Sequence, residues 1–542
     1  MATDVLYFKL RQSPQGMKER AILPVEVWSA CWALCPRRQL RRISLVCKLF
    51  RSIVLPVLFR EQSFDMVALE ISATSANWMD TVRHSHRTAV RLDKLAQNPH
   101  ASWVRSWNAV FSFNGAAAMS QFVPAEHTPL LELTHDRVVT TFSTTIHMYE
   151  NLTSLDLAQL TVDASVRAGL ASLQRIENLH LSRCKITGRD GFLRLRTLTI
   201  AGYHIPNADP LQIASPDDLR TITLDRGPEI VPLLNGFGSK TLPHLVHLSM
   251  EAVPDVEQWF RFLRQCPLLE TLVVQSVDQG ANQPVLQPTA LSRLRVLTAP
   301  ASSIQSLAPH RPISDVTILR SPSSLDVLLL VCMVIARSTV PLRTLSLPYL
   351  TPTREFLATI FALFPDLREL SMKVAGFSNL PCGNAFLWHR PSAVASKDYA
   401  RPIELCDDNA FDDLPLDEIS DDGEGSVEVK EAPAMTMVKK ATRPHLPSET
   451  FLNICVDGTA DILNWVFDDL LSLPSNLEVL RLEQDRGMWF SLADQHQTIA
   501  ALGSIYPRLR EVQFTSAHDN WKRVGPGEIW DSAGGSLTWE VP

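Results

Sequence analysis

The feature that most constrains this chain is a hexapeptide, Leu-x-x-Leu-x-Leu with aliphatic or aromatic substitutes, that recurs twelve times. Copies begin at Leu152, Ile176, Leu195, Leu219, Leu245, Leu269, Leu294, Ile313, Leu342, Leu367, Leu477 and Leu509. The nine steps from Leu152 to Leu367 cover 215 residues, a mean of about 24. The last positions alternate as a strand does, so Leu155 and Leu157 are expected to point inward while Ser154 and Asp156 face solvent. Prolines such as Pro243, Pro267, Pro365, Pro474 and Pro507 precede copies and stop the preceding segment. Between copies, stretches such as 256–265 and 356–363 carry apolar residues three to four apart, the helical period. One such unit cannot cover its own apolar face, so neighbours must stack into a continuous core.

This pattern resembles the leucine-rich-repeat family over roughly residues 100–542, in an irregular form that lacks the usual asparagine after the strand. The resemblance implies an α/β solenoid, a curved parallel sheet with outer helices. Val104 opens a further copy 48 residues before Leu152, twice the period, and an irregular unit is expected between them near Thr128 to Val139. Periodicity breaks in the 110 residues from Leu367 to Leu477. There, Glu404 to Glu431 holds twelve acidic residues and one lysine, a composition expected of a solvated loop or disordered insertion. A calcium loop beginning at Glu418 fails, because Val429 stands where a bidentate glutamate is required. Phosphorylation of Ser420 and docking of basic partners stay open as roles for this segment.

The chain carries 51 basic and 58 acidic residues, a net charge of −7. The acidic segment supplies more than all of it, and the remainder is slightly basic, so no strongly basic nucleic-acid surface is expected. Nine cysteines without a C-x-x-C pair fit a reducing intracellular compartment, cytoplasmic or nuclear. No secretory signal is read at the start, and the longest apolar run, Val327 to Ala336, is ten residues, about half of a membrane span. There are only 21 glycines, and none of the nucleophile-elbow, zinc-protease, P-loop or dinucleotide motifs occurs. Histidines and cysteines do not cluster at metal-ligand spacing. The expectation is a non-catalytic protein with no cofactor or metal. Trp521, Trp530 and Trp539, each nine residues apart, are expected to cap the open end of the repeat array.

Residues 22–64 break the repeat. Leu23-Pro24 is expected to open a helix with Val27, Cys31 and Leu34 on one side, ended by Pro36. A second helix, Gln39 to Val54, would align Leu40, Ile43, Val46, Cys47, Phe50 and Val54. Leu23, Pro24 and Glu26, then Leu40, the run Ser44 to Lys48, Phe50-Arg51 and Leu55-Pro56 make this segment similar to an F-box. The resemblance implies docking on a Skp-type adaptor and, through it, a cullin–RING ubiquitin ligase. Leu23, Pro24, Leu40, Val46, Cys47 and Phe50 would form or support that interface, and the repeats would recruit a protein target. Arg37, Arg38, Arg41, Arg42, Lys48 and Arg51 depart from the family by making the second helix unusually basic. A helical cap over the first repeats, or a repeat scaffold that engages no ligase, are the competing readings.

The expected organisation is an N-terminal extension (1–21), the F-box-like module (22–64), a helical linker (65–100), repeats (101–400), the acidic insertion (401–440), and C-terminal repeats with a cap (441–542). Solvent-facing strand positions Ser154, Asp156, Thr199, Thr223, Asp225, His247, Ser346 and Arg481 are the candidate target-binding residues.

Overall fold

A computed structural model of the chain describes residues 24–65, 78–111, 128–187, 193–202, 213–225, 230–253, 255–277, 286–320, 324–374, 458–484, 492–514, 520–523 and 530–532. All of them belong to one unit, residues 1–376 with 457–542. The expected acidic insertion, 401–440, lies outside the described residues, as do Leu23, Ser420 and Trp539.

Sixteen strands form one sheet in the order of the sequence. They are β1 (Glu61–Asp65), β2 (Ser106–Val110), β3 (Ser154–Ala158), β4 (Asn178–Ser182), β5 (Thr197–Ala201), β6 (Thr221–Leu224), β7 (His247–Val253) and β8 (Thr271–Val277). The order continues with β9 (Val296–Pro300), β10 (Asp315–Leu319), β11 (Thr344–Leu350), β12 (Glu369–Val374), β13 (Val479–Gln484), β14 (Glu511–Phe514), β15 (Asn520–Lys522) and β16 (Asp531–Ser532). Pairing is parallel from β1 to β14 and antiparallel for the last two strands. Register holds across the 110-residue break, since Glu369 pairs with Val479.

The alternation written in the hexapeptide fixes which face is buried. Trp107, Leu155, Leu179, Leu198, Ile222 and Leu248 stand in one row across successive strands, each at most 2% exposed. Leu157, Leu181, Ile200, Leu224 and Met250 form the next row. These rows join helix residues such as Val166, Trp259, Val331 and Leu357 in one continuous apolar cluster. The helices begin where an acceptor side chain is available: Asp163, Asp255, Ser324 and Thr353 each accept the amide three residues on, replacing a bond the helix end lacks.

Three expectations are corrected. The segment 128–139 is not a repeat unit but part of helix Thr128–Thr145, and β2 pairs directly with β3. Val138, Phe142 and Ile146, all buried, recur at the helical period there. The sheet begins at Glu61, inside the segment read as purely helical, and not near residue 101. The expected second helix is two, α2 (Arg37–Ile43) and α3 (Lys48–Arg60), after α1 (Val25–Ala33). Cys47 adopts an extended backbone between them, and its Sγ accepts the Phe50 amide at 3.4 Å. On α1, Trp32 is buried and Trp28 half-buried against the same small core, and Val27, Cys31 and Leu34 share one side, as their spacing places them, which is the exposed one. The larger indole surfaces win the inward side.

Trp521 and Trp530 are buried, at 4% and 6% exposure, where β15 and β16 turn antiparallel and close the core. No helix among the described residues is long and apolar enough to cross a membrane.

Candidate functional site

The first surface is the helical segment, 24–60. Its core is small: Trp32, Leu40, Ile53 and Val54 are buried, and Phe50 packs edge-on against Trp32 with ring centres 4.9 Å apart and 5.7 Å from Trp28. Around that core, large apolar side chains stand in solvent. Leu34 is 88% exposed, Leu45 83% and Val46 68%, with Val25 and Val27 also exposed. The expected adaptor residues therefore divide. Pro24, Val46 and Cys47 lie on the surface, Leu40 and Phe50 are internal supports, and Leu23 is outside the described residues. Sequence reasoning missed Leu34, Leu45 and Val25. The signal was present for Leu34: Trp28 and Trp32, one helical turn apart, fix the inward side and turn Leu34 away from it, whereas Val25 shares their side at the helix start and lines the cleft between helix and sheet.

The segment is fused to the sheet. Helix α3 runs into β1 without a loop, and the Arg60 carbonyl accepts the Arg105 amide at 2.8 Å. Arg37 donates to the carbonyls of Leu58 and Glu61, at 2.9 and 2.5 Å, which ties α2 to the same junction. Phe59 lies against His100 and Trp103, whose own rings stack 4.1 Å apart. Between helix and sheet is a cleft of about 710 Å³, with Leu49, Ile53, Pro56 and Val57 on one wall and Trp103 and Arg105 on the other.

The second surface is the solvent face of the sheet. The residues expected to bind a target do lie there, but in two rows spread from β3 to β13. Asp156, Thr199, Thr223, Ser346 and Arg481 share one row, in register across the strands. Ser154 and His247 lie in the neighbouring row, and Asp225 follows β6, exposed. Thr199 and Thr223 are direct neighbours; the outermost members, Asp156 and Arg481, are ten strand steps apart, roughly 48 Å.

Charge pairs stand toward both ends of this face. Asp156 pairs with His180 at 3.2 Å. Arg481 sits between Glu369 and Glu511, at 3.7 and 3.0 Å, and Lys522 adds a second cation to Glu511 at 3.3 Å. Burial pushes the Glu511 carboxyl up, but the hydrogen bonds and charges of Arg481 and Lys522 outweigh it, and its pKa falls below the ordinary value. Desolvation lowers the pKa of His247. In the middle, the row is almost entirely hydroxyl: Thr199, Thr223, Ser249, Thr298, Thr317, Ser346 and Ser371.

One row was not anticipated. The residue before each strand donates its amide to the carbonyl of its counterpart one strand earlier, and arginine holds that place at Arg196, Arg220, Arg295, Arg343, Arg368 and Arg510. All six are exposed. Aligning the copies on their leucines displays the pattern, because arginine fills the second hexapeptide position in six of twelve.

Among the described residues no group of three or more His, Cys, Asp or Glu side chains could hold a metal ion. Burial pushes the thiols of Cys184 and Cys332 up to about 11 and about 12, and that of Cys266 higher still, so these three stay protonated at neutral pH. A scan against known protein families finds no match to this chain, and a search of curated proteins finds no similar sequence.

Proposed function

We propose that the chain is an F-box and leucine-rich-repeat protein, the non-catalytic target-binding subunit of an intracellular ubiquitin ligase. In this reading the helical segment docks on a Skp-type adaptor, and the solvent face of the repeat sheet holds a protein target. The observation that carries it is the exposure of Leu34, Leu45 and Val46 on a segment whose own core has only four buried side chains. Neighbouring apolar groups left in water, such as Leu45 and Val46, are where a partner gains most by covering a surface. The fused junction at Arg60 and Arg105 supports the same reading, because a ligase receptor works by holding its target at a fixed place relative to the adaptor.

The test is co-purification of the adaptor with the full chain and with a Leu34→Asp/Val46→Asp variant. Both positions are exposed, so folding is spared, whereas Phe50→Ala would open the segment's core. Capture by the wild type and loss in the variant is the expected result. No capture by the wild type leaves the repeat scaffold without a ligase as the standing alternative.

A further inference from the structure

We infer that the arginine row along the strand entrances, with the hydroxyl row beside it, is a docking track for an extended acidic polypeptide segment. This deepens the reading of the sheet face as the target-binding surface and does not depend on the adaptor reading.

From β5 to β12 eight strands lie side by side, and the eight places before them hold five arginines with Val246, Glu270 and Ser314. Arg196 is paired with Glu177, and Arg368 with Glu478. Among the described residues no carboxylate pairs with Arg220, Arg295 or Arg343, and all three are exposed. Three guanidinium groups held on rigid strand ends with no internal partner form a positive edge that favours carboxylates, which they can grip with two parallel bonds each. The first solvent-facing row after the entrances holds Thr197, Thr221, Thr271 and Thr344 but also Asp315 and Glu369, and the next row offers hydroxyls at seven of eight strands, with only Val273 interrupting. Hydroxyls both donate and accept, so they can satisfy carboxylates and peptide groups alike.

The span fits a polypeptide. Seven strand steps of about 4.8 Å make a track of roughly 34 Å, which an extended segment of about ten residues covers at about 3.3 Å per residue. Nucleic acid fits less well. Neither of the two solvent-facing rows nearest the strand entrances, from β5 to β12, contains Phe, Tyr or Trp on which bases could stack.

The experiment is fluorescence anisotropy with the full chain and a labelled peptide of about twelve residues alternating Glu and Ser. Controls are the same peptide with Lys in place of Glu and a single-stranded RNA of similar length. The expected result is selective binding of the acidic peptide that weakens about tenfold or more between 50 and 300 mM salt, as screened charge pairs require. Arg220→Glu/Arg295→Glu/Arg343→Glu should weaken it by about twentyfold or more, while the three Arg→Lys changes, which keep the charge but lose the paired bonds, should weaken it less than the reversal does. The three Arg→Gln changes serve in place of the glutamates should circular dichroism show that reversal unfolds the sheet. Adaptor capture by the charge-reversed variant stays at the wild-type level, so loss of peptide binding is read apart from the ligase interaction. No binding by the wild type, binding by the reversed variant within twofold of it, or RNA binding as tight as the peptide's overturns the inference.

Discussion

The amide of Arg105 donates to the carbonyl of Arg60 at 2.8 Å, so the last residue of helix α3 is also the first rung of the sheet. The helical segment has no flexible tether; its orientation is set by the register of β1 on β2.

Arg37 is the side chain that reinforces this junction. Arg37→Ala removes two charge-assisted bonds to the carbonyls of Leu58 and Glu61, at a cost of about 1–2 kcal/mol for a solvent-exposed site. Hydrogen exchange should show faster exchange of the amides at the end of α3, with those of β7 to β12 unchanged. Unaltered exchange throughout would mean that the junction is held by the Phe59 and Trp103 packing alone.

Arg311 is 1% exposed and satisfies carbonyls only: those of Ala290, Leu307, Pro309, Leu286 and Gln287. Desolvation lowers its pKa, but a guanidinium remains charged at neutral pH. Arg311→Met leaves several buried carbonyls unpaired and should destabilise the chain by about 2–4 kcal/mol, read as a lower urea midpoint. Arg311→Lys should recover only part, since an ammonium cannot reach the same fan of acceptors.

Gly169 allows two helices to meet. A methyl group there would stand 2.7 Å from the Ser143 carbonyl oxygen and 3.0 Å from Ile146 Cγ2. Backbone cannot yield as a side chain can, so Gly169→Ala should cost about 1–3 kcal/mol despite alanine's better helix propensity. A thermal midpoint equal to or above wild type would contradict that packing.

Two groups give stability distinct pH windows. The His247 pKa is lowered in the fold, so the unfolded chain binds the proton more readily and stability declines as pH falls below the ordinary value of 6.5. His247→Gln should flatten the urea midpoint between about pH 7 and 5. The Glu511 pKa is also lowered, but for an acid the benefit is full above the ordinary value of 4.5 and is lost as pH falls through the folded value. Arg481→Gln should therefore lower stability at neutral pH and reduce the acid loss below 4.5. Curves parallel to wild type in both variants would contradict these assignments.

The strand alternation was legible because period and chemistry agree: Leu155 and Leu157 had to be inside, and both are. The sheet's continuity beyond the acidic segment was legible for the same reason, since the copies at Leu477 and Leu509 carry their own inward leucines. The helical segment was read less well. Its apolar residues occupy more than one side of α1, and periodicity cannot rank them, whereas the bulk of Trp28 and Trp32 does. The helix over 128–145 was mistaken for a repeat unit because a doubled spacing looks like a missing copy when it is one long crossover. The arginine row is invisible in any single copy and emerges only when the copies are laid leucine over leucine, which is the alignment the sheet's register imposes.

In the proposed function, the exposed apolar groups of the helical segment bind a Skp-type adaptor. Calorimetric titration of purified adaptor into the full chain and into Leu45→Asp/Val46→Asp tests it. Saturable one-to-one binding with the negative heat-capacity change of apolar burial is the expected result. At least about a hundredfold weakening is expected in the variant, roughly 2.8 kcal/mol, with the melting temperature unchanged. Absence of binding by the wild type, or equal binding by the variant, would contradict this docking.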